Sequence, residues 1–187
     1  MARRLIFLTI LLTVGLYLWP SVIGAAGPWK AQIVDAETGK PIEGVVVLGY
    51  WIRYTSTWAG WAGGEFYDAE EVVTGPDGRF VIEARATWNL LPWRKIEGDF
   101  VLFKPGYGKW RIRDWDKKPR DWEYLSTAEV FEKDGIVIEL LPLKTREERL
   151  HFYQSPGRTP PGLVPAERMR QFQEAENAER AYLGFRN

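Results

Sequence analysis

Hydrophobic and polar positions alternate with a period of two over much of residues 29–141, a pattern typical of β-strands. Residues 45–54 differ from the rest because odd and even positions are both apolar. A strand with two apolar faces is predicted to lie in the centre of its sheet and to be covered on both sides.

Turn-forming residues separate these alternating segments. Asp77-Gly78 and Asp134-Gly135 are typical of tight turns, and Asp35 is placed to accept hydrogen bonds from backbone amides two residues on. The predicted strands span residues 29–34, 45–54, 66–74, 79–83, 99–104, 109–113, 128–132 and 136–141. The last two are predicted to form a hairpin. The number and spacing of the strands predict an all-β fold, an antiparallel sandwich of seven to eight strands.

Beyond Pro142 the period rises to nearly four, which predicts a helical tail over residues 143–187. Thr145 and Glu148 have the spacing of a capping box and predict a short helix through Tyr153. A second helix is predicted to start at Pro165 and to end at Gly184. Its apolar stripe comprises Met169, Phe172, Ala175, Ala178 and Tyr182. A stripe rich in alanine indicates that this helix packs against the domain or against a partner.

The first 26 residues have the layout of a secretory signal peptide. Two arginines precede the apolar residues 5–19, and Gly24 and Ala26 supply small side chains for cleavage after Ala26. An uncleaved membrane anchor is the alternative, because the apolar stretch approaches the roughly 20 residues that span a bilayer. Pro20 interrupts that stretch and favours cleavage. We therefore predict an exported protein, periplasmic or extracellular, with a sandwich domain over residues 27–142.

Composition narrows the classes of partner. The 187 residues include no cysteine, so the exported chain has no disulfide and must be held by packing. Loss of Arg3 and Arg4 with the leader leaves 23 of the 25 basic residues against 25 acidic ones. A near-neutral exported chain gives no electrostatic reason to bind nucleic acid. Contact with a membrane is expected only through the N-terminal segment, if it is uncleaved.

Three turn motifs resemble those of a known family. They are DAETGKPIEG at residues 35–44, TGPDGRF at residues 74–80 and KPGY at residues 104–107. In these motifs residues 29–141 resemble the carboxypeptidase regulatory-like domain family, a transthyretin-like, or prealbumin-like, β-sandwich. The resemblance implies a non-catalytic module, often found in exported or envelope proteins, with no catalytic residues to carry over.

Candidate catalytic and metal-binding groups are few. His151 is the only histidine and lies four residues from Ser155, but no nucleophile-elbow sequence accompanies them, and a solvated histidine is the favoured interpretation. One imidazole and no thiolate cannot assemble a zinc site. Calcium ligands could come from two acidic clusters without EF-hand spacing, Glu65, Asp68, Glu70 and Glu71, or Asp114 and Asp116. Solvated carboxylates are the favoured interpretation, so no metal and no cofactor is predicted.

Ten tryptophans are an unusual load, and two of them lie where no strand pattern requires them. Trp58 and Trp61 fall in the glycine-rich residues 55–65, which are predicted to form a loop. An indole there can stack on a sugar ring or anchor a protein interface. The alternative is that both side chains fold back and cap the end of the sandwich.

A second group of tryptophans is interleaved with basic residues. Trp110, Trp115 and Trp122 alternate with arginines and lysines between residues 110 and 122. Outside the cytoplasm this pattern suits an anionic envelope polymer, a lipid headgroup zone or an acidic protein surface. Acidic residues in the same segment favour a self-neutralised surface loop over residues 114–127.

Together these features predict an exported, non-catalytic interaction module of the cell envelope. Its partner is expected to be an envelope protein or a polysaccharide, and the candidate ligand-binding residues are Trp58, Trp61, Trp110, Trp115 and Trp122. A carbohydrate-binding module that uses Trp58 and Trp61 is the alternative, and a hydrolase of undetermined kind ranks third.

Overall fold

The computed structural model describes residues 25–88, 91–156 and 159–185. These residues form nine β-strands and three α-helices. Residues 1–24 of the predicted signal peptide lie outside the described residues. Its last two residues, Ala25–Ala26, are described and form strand β1.

A three-stranded antiparallel sheet forms the middle of the molecule. Its central strand is β3 (Val46–Thr57), which pairs with β4 (Gly60–Val73) on one side and with β7 (Arg94–Phe103) on the other. The central position of β3 agrees with the prediction from its two apolar faces.

A second sheet of four strands faces the first. Its order is β5–β2–β9–β8, with bounds β2 Trp29–Asp35, β5 Arg79–Ile82, β8 Tyr107–Ile112 and β9 Val137–Pro142. β2 pairs with β5 antiparallel and with β9 parallel. A separate two-stranded ribbon joins β1 to β6 (Arg85–Ala86).

The predicted all-β antiparallel sandwich is wrong. The structure is mixed, with 24% helix and 41% strand, and its strands form three separate small sheets that include a parallel pair. Residues 128–132 are not a strand, because helix α1 (Thr127–Val130) occupies this position. Ser126 and Glu129 form a capping box that satisfies the first amides of this helix. β9 therefore has no hairpin partner at residues 128–132 and lies between β2 and β8 instead.

The main hydrophobic core lies between the two larger sheets. Trp29 of β2 and Trp51 of β3 stack with ring centroids 5.0 Å apart and an interplanar angle of 10°. Gly98 of β7 leaves room for both rings, since a β-carbon there would lie 2.6 Å from Trp29. Phe131, directly after α1, meets Phe100 edge-to-face and closes this core.

The helical tail covers the opposite face of β3. Helices α2 (Arg146–Tyr153) and α3 (Arg170–Leu183) follow β9, and Phe172 of α3 packs on Phe103 of β7 with ring centroids 5.5 Å apart. Leu48 of β3 is fully buried in this second core. Both faces of β3 are thus covered, as predicted, and the tail packs on its own chain.

Details of the tail agree with the sequence in part. The capping box of Thr145 and Glu148 is present, and Gly184 ends α3 with φ 83. The second helix starts at Arg170 and not at Pro165, and Tyr182 is exposed while its neighbour Leu183 is buried. No helix within the described ranges is long and apolar enough to cross a membrane.

Candidate binding surfaces

The β3–β4 hairpin carries the first pair of predicted ligand-binding tryptophans. Residues 55–65 are not the predicted loop but the paired ends of two strands, joined by a tight turn at Trp58-Ala59. Gly60 follows the turn with φ 112, a conformation that suits glycine. Trp58 is 101% exposed and Trp61 is 47% exposed. Trp58 therefore does not cap the core, and its indole projects into solvent.

A third indole, which the sequence analysis missed, lies beside this hairpin. Trp93 precedes β7, is 51% exposed, and accepts a hydrogen bond from the Ser56 amide at 2.6 Å. The Lys95 ammonium lies 4.8 Å from the centroid of the Trp61 ring. We call Trp58, Trp61 and Trp93 the indole end. The signal that could have revealed it is Trp93 directly before Arg94 and Lys95, in the segment that precedes the predicted strand over residues 99–104.

The described chain begins near the indole end. Ala25 of β1 pairs with Ala86 of β6, and the exposed Trp88 follows two residues later. Ala25 also lines a cavity together with Tyr54 of β3 and Glu97 of β7. Tyr54 lies four residues before Trp58, so Ala25 lies on the side of the sheet where β3 leads to the hairpin turn.

The second group of predicted tryptophans surrounds a cleft on the other sheet. Trp110, Arg111, Arg113, Trp115 and Glu139 line a space of about 610 Å³ along the edge strand β8 and the turn that follows it. We call these five residues the β8 cleft. Asp114 and Asp116 also line it, so it presents both hydrogen-bond donors and acceptors.

A shared carboxylate fixes the two arginines of the β8 cleft. The Nε–H groups of Arg111 and Arg113 donate to the two oxygens of Glu139, each at 2.7 Å. Hydrogen bonds from Arg113 and Arg111 hold the pKa of Glu139 below its usual value of 4.5. Each guanidinium uses only its Nε–H in these bonds. Within the described part of the chain, the terminal nitrogens of both arginines have no hydrogen-bond partner and are available to a ligand.

Backbone conformation places Trp115 at the mouth of the cleft. Asp114 has φ 53, a left-handed conformation that few residues other than glycine adopt, and it turns the chain from β8 into the 3-10 turn Trp115–Lys117. Trp115 also lines a second cavity of about 310 Å³. Lys118 lies 4.4 Å from the Trp115 ring centroid and lines only the smaller cavity. Trp115 itself lines both cavities.

The other two tryptophans of this group are less accessible. Trp110 packs against Phe100 and Phe131 with ring centroids 6.0 Å away in each case, so it belongs partly to the core. Trp122, in the 3-10 segment Arg120–Tyr124, is half-buried and lines the smaller cavity. The predicted loop over residues 114–127 thus consists of short 3-10 segments leading into α1. The lysine and aspartate of its first turn, Lys117 and Asp114, pair at 2.8 Å.

Two carboxylates of the first predicted acidic cluster, those of Asp68 and Glu70, pair with arginine side chains. Arg85 donates to Asp68 at 2.7 Å and to Glu70 at 2.9 Å, and Arg168 also contacts Asp68. These contacts tie β6 and the tail to the three-stranded sheet. The carboxylates act as structural partners.

Glu71 has a different structural role from its neighbours. Its carboxylate accepts hydrogen bonds from the backbone amides of Gln171 and Phe172, at 3.1 and 2.8 Å, at the first turn of α3. Glu65 pairs with Arg53 at 3.6 Å. In the part of the chain that the structure describes, no group of three or more His, Cys, Asp or Glu side chains could hold a metal ion.

His151 and Ser155 do not form a catalytic pair. The Ser155 hydroxyl donates to the carbonyl of Phe152 at 2.7 Å, and His151 is exposed in the last turn of α2. The Ser155 hydroxyl is therefore bonded to a backbone carbonyl at the end of α2 and not to the imidazole of His151.

Comparisons with family models, with curated proteins and with solved structures find no match to this chain. The resemblance to the carboxypeptidase regulatory-like family therefore stays a prediction from the three turn motifs.

Proposed function

We propose that this protein is an exported, non-catalytic interaction module of the cell envelope that binds polysaccharide in the β8 cleft. The observation that carries the proposal is that Trp115 lines a cleft together with Arg111 and Arg113, whose terminal nitrogens have no hydrogen-bond partner among the described residues. The leader-like N-terminus supports export, and the absence of cysteine is compatible with a fold held by packing alone.

The chemistry of the cleft suits a sugar ring. A pyranose has an apolar C–H face that packs on an indole, and a rim of hydroxyls that donate and accept hydrogen bonds. Trp115 offers the face, Arg111 and Arg113 offer donors, and Asp114 and Asp116 offer acceptors. A site that combines an aromatic wall with a few polar groups of both kinds is typical of small-molecule and glycan pockets.

The charge of the cleft is balanced. Arg111 and Arg113 face Glu139, Asp114 and Asp116, while Lys117 and Lys118 lie on the adjoining turn. The cleft and the adjoining turn together carry four basic and three acidic side chains, and this small net positive charge gives little long-range attraction for a strong polyanion. We therefore favour a sugar polymer with few charges over a highly charged one.

The indole end suits a polysaccharide less well. Trp58 is fully exposed, so no neighbouring side chain provides a second wall or a hydrogen-bonding group beside its ring. Sugar recognition depends on such groups for orientation and specificity. We thus assign the glycan to the β8 cleft. A substitution at Trp58, which belongs to the alternative site, serves as the control.

Support for a non-catalytic role comes from how the candidate catalytic groups are used. Asp68 and Glu70 are held by Arg85, Glu71 caps α3, and the Ser155 hydroxyl is bonded to the backbone. A general acid or base needs a pKa near the working pH and access to substrate. These carboxylates have structural partners instead.

The test is binding to insoluble polysaccharide, with peptidoglycan sacculi and cellulose as the probes. Truncation of an aromatic anchor in a binding site costs about 2 kcal/mol or more, or roughly thirtyfold in affinity. We expect Trp115→Ala to weaken binding by this amount and Trp58→Ala to leave it unchanged. The 3-10 turn that carries Trp115 contains no buried residue, so the substitution should not unfold the protein.

Two outcomes would contradict the proposal. If the unmodified protein sediments with neither polysaccharide, the ligand class is wrong and an envelope protein becomes the expected partner. If Trp115→Ala binds as well as the unmodified protein, the β8 cleft is not the ligand surface.

A further inference from the structure

The indole end exposes aromatic surface that the fold does not use. Trp58 contacts no neighbouring side chain, while Trp61 and Trp93 are each about half exposed at the same end of the three-stranded sheet. By contrast, Trp29 and Trp51 are fully buried in the core. Tryptophan that is apolar on its faces and polar at its N–H is enriched where a membrane meets water.

The start of the chain carries an apolar stretch a few residues before Ala25. Residues 5–19 are uniformly free of charge, and only residues 20–24 separate them from Ala25. Five residues span at most about 18 Å when fully extended. Ala25 pairs with Ala86 and lines a cavity with Tyr54, next to the hairpin that ends in Trp58. In the uncleaved form of the chain, on which this inference rests, a bilayer that holds residues 5–19 would lie within that distance of Ala25, on the side of the sheet where β3 leads to the indole end.

Two basic side chains, Arg94 and Lys95, lie beside the exposed indoles. Lys95 lies over the Trp61 ring and pairs with Glu97 at 2.6 Å. Arg94, directly after Trp93, is exposed and has no ion pair within the described residues. Long basic side chains lay their apolar stems along buried surface and carry their charge to the phosphate layer.

We propose that the indole end inserts into the headgroup region of a phospholipid bilayer, with Trp58 deepest and Trp61 and Trp93 beside it. This places the hairpin against the membrane. The β8 cleft lies on the other sheet, at different residues, so the inference does not depend on the polysaccharide proposal.

The test uses the full chain reconstituted in vesicles of phosphatidylcholine and phosphatidylglycerol. Because the chain contains no cysteine, a single introduced cysteine gives one labelled position. An environment-sensitive fluorophore is attached at Ala59→Cys, in the hairpin turn. The matched control is Val81→Cys, exposed on the outer face of the four-stranded sheet.

We expect the label at position 59 to shift its emission to the blue and to lose most of its quenching by aqueous iodide when lipid is present. The label at position 81 should keep its quenching. Adding Trp58→Ala and Trp61→Ala should restore quenching at position 59, whereas adding Leu141→Ala, an exposed apolar residue on the other sheet, should not.

Equal iodide quenching at position 59 with and without lipid would overturn the inference. If, in addition, loss of Trp58 and Trp61 abolished binding to cellulose or sacculi, the indole end would be a glycan surface instead. Trp115→Ala should leave the label at position 59 unaffected, so failure of the β8 cleft proposal and failure of membrane insertion give different results.

Discussion

Glu179 is the residue on which the attachment of the tail can be tested most directly. It lies in α3, is 4% exposed, and accepts hydrogen bonds from Arg149 Nε at 2.7 Å and from the Gly106 amide at 3.1 Å. A second nitrogen of Arg149 also contacts its carboxylate. One buried carboxylate thus joins α3 to α2 and to the turn between β7 and β8.

Glu179→Ala would leave the Arg149 guanidinium buried without its partner. Breaking a buried ion pair from one side costs about 3–5 kcal/mol. The Arg149 side chain is 14% exposed, so some water reaches the charge and the lower end of that range applies, about 3 kcal/mol. The amide of Gly106 also loses its acceptor, which adds about 1 kcal/mol.

The measurement is the free energy of unfolding in urea, followed by tryptophan fluorescence. Urea is used because guanidinium chloride would screen the ion pair. The control is Glu174→Ala, an exposed position in the same helix, where the same gain in helix propensity applies and the change should stay within about 0.5 kcal/mol. If Glu179→Ala lost no more stability than Glu174→Ala, the buried pair would not be what holds the tail.

Three other changes test the fold and the cleft. Gly98→Ala places a β-carbon 2.6 Å from Trp29 and 2.7 Å from Trp51 Nε1, and this overpacking should cost about 1–3 kcal/mol, measured as a lower melting temperature. Thr145→Ala removes the capping box of α2 and should cost about 1 kcal/mol in urea unfolding, while Thr145→Ser should not. The pKa of Glu139 is lowered in the folded state, so its contribution to stability is present above about pH 4.5 and is lost as the pH falls through the folded-state pKa. Glu139→Gln should therefore flatten the fall in stability below pH 4.5, and an unchanged acid profile would contradict this assignment.

Local sequence predicted the parts of this protein that local interactions hold. The Asp35 side chain accepts from the amides of Glu37 and Thr38, as its position before the turn predicted. The capping box of Thr145 and Glu148 closes over three residues. In each case the donor and the acceptor are a few positions apart, so the sequence contains the whole interaction.

Two errors arose where a local signal was weak or overlooked. The alternation in residues 128–132 covers too few positions to distinguish a strand from a helix. Ser126 with Glu129 has the same capping-box spacing as Thr145 with Glu148, and this signal predicts the helix that is present. Glycine-rich residues 55–65 were predicted as a loop because glycine is rare in strands, but the hairpin accommodates them at its end.

The sequence by itself determined that much of residues 29–141 is extended, that β3 is apolar on both faces, and that the first tail helix begins after Thr145. Only the tertiary structure decided that β9 pairs parallel with β2 and that α3 covers β3. It also decided that Trp115 faces a cleft while Trp58 faces solvent. Periodicity shows how much apolar surface a segment must bury. The partner that buries it lies more than 100 residues away, both for β2 with β9 and for α3 with β3, so that choice rests on packing across the whole chain.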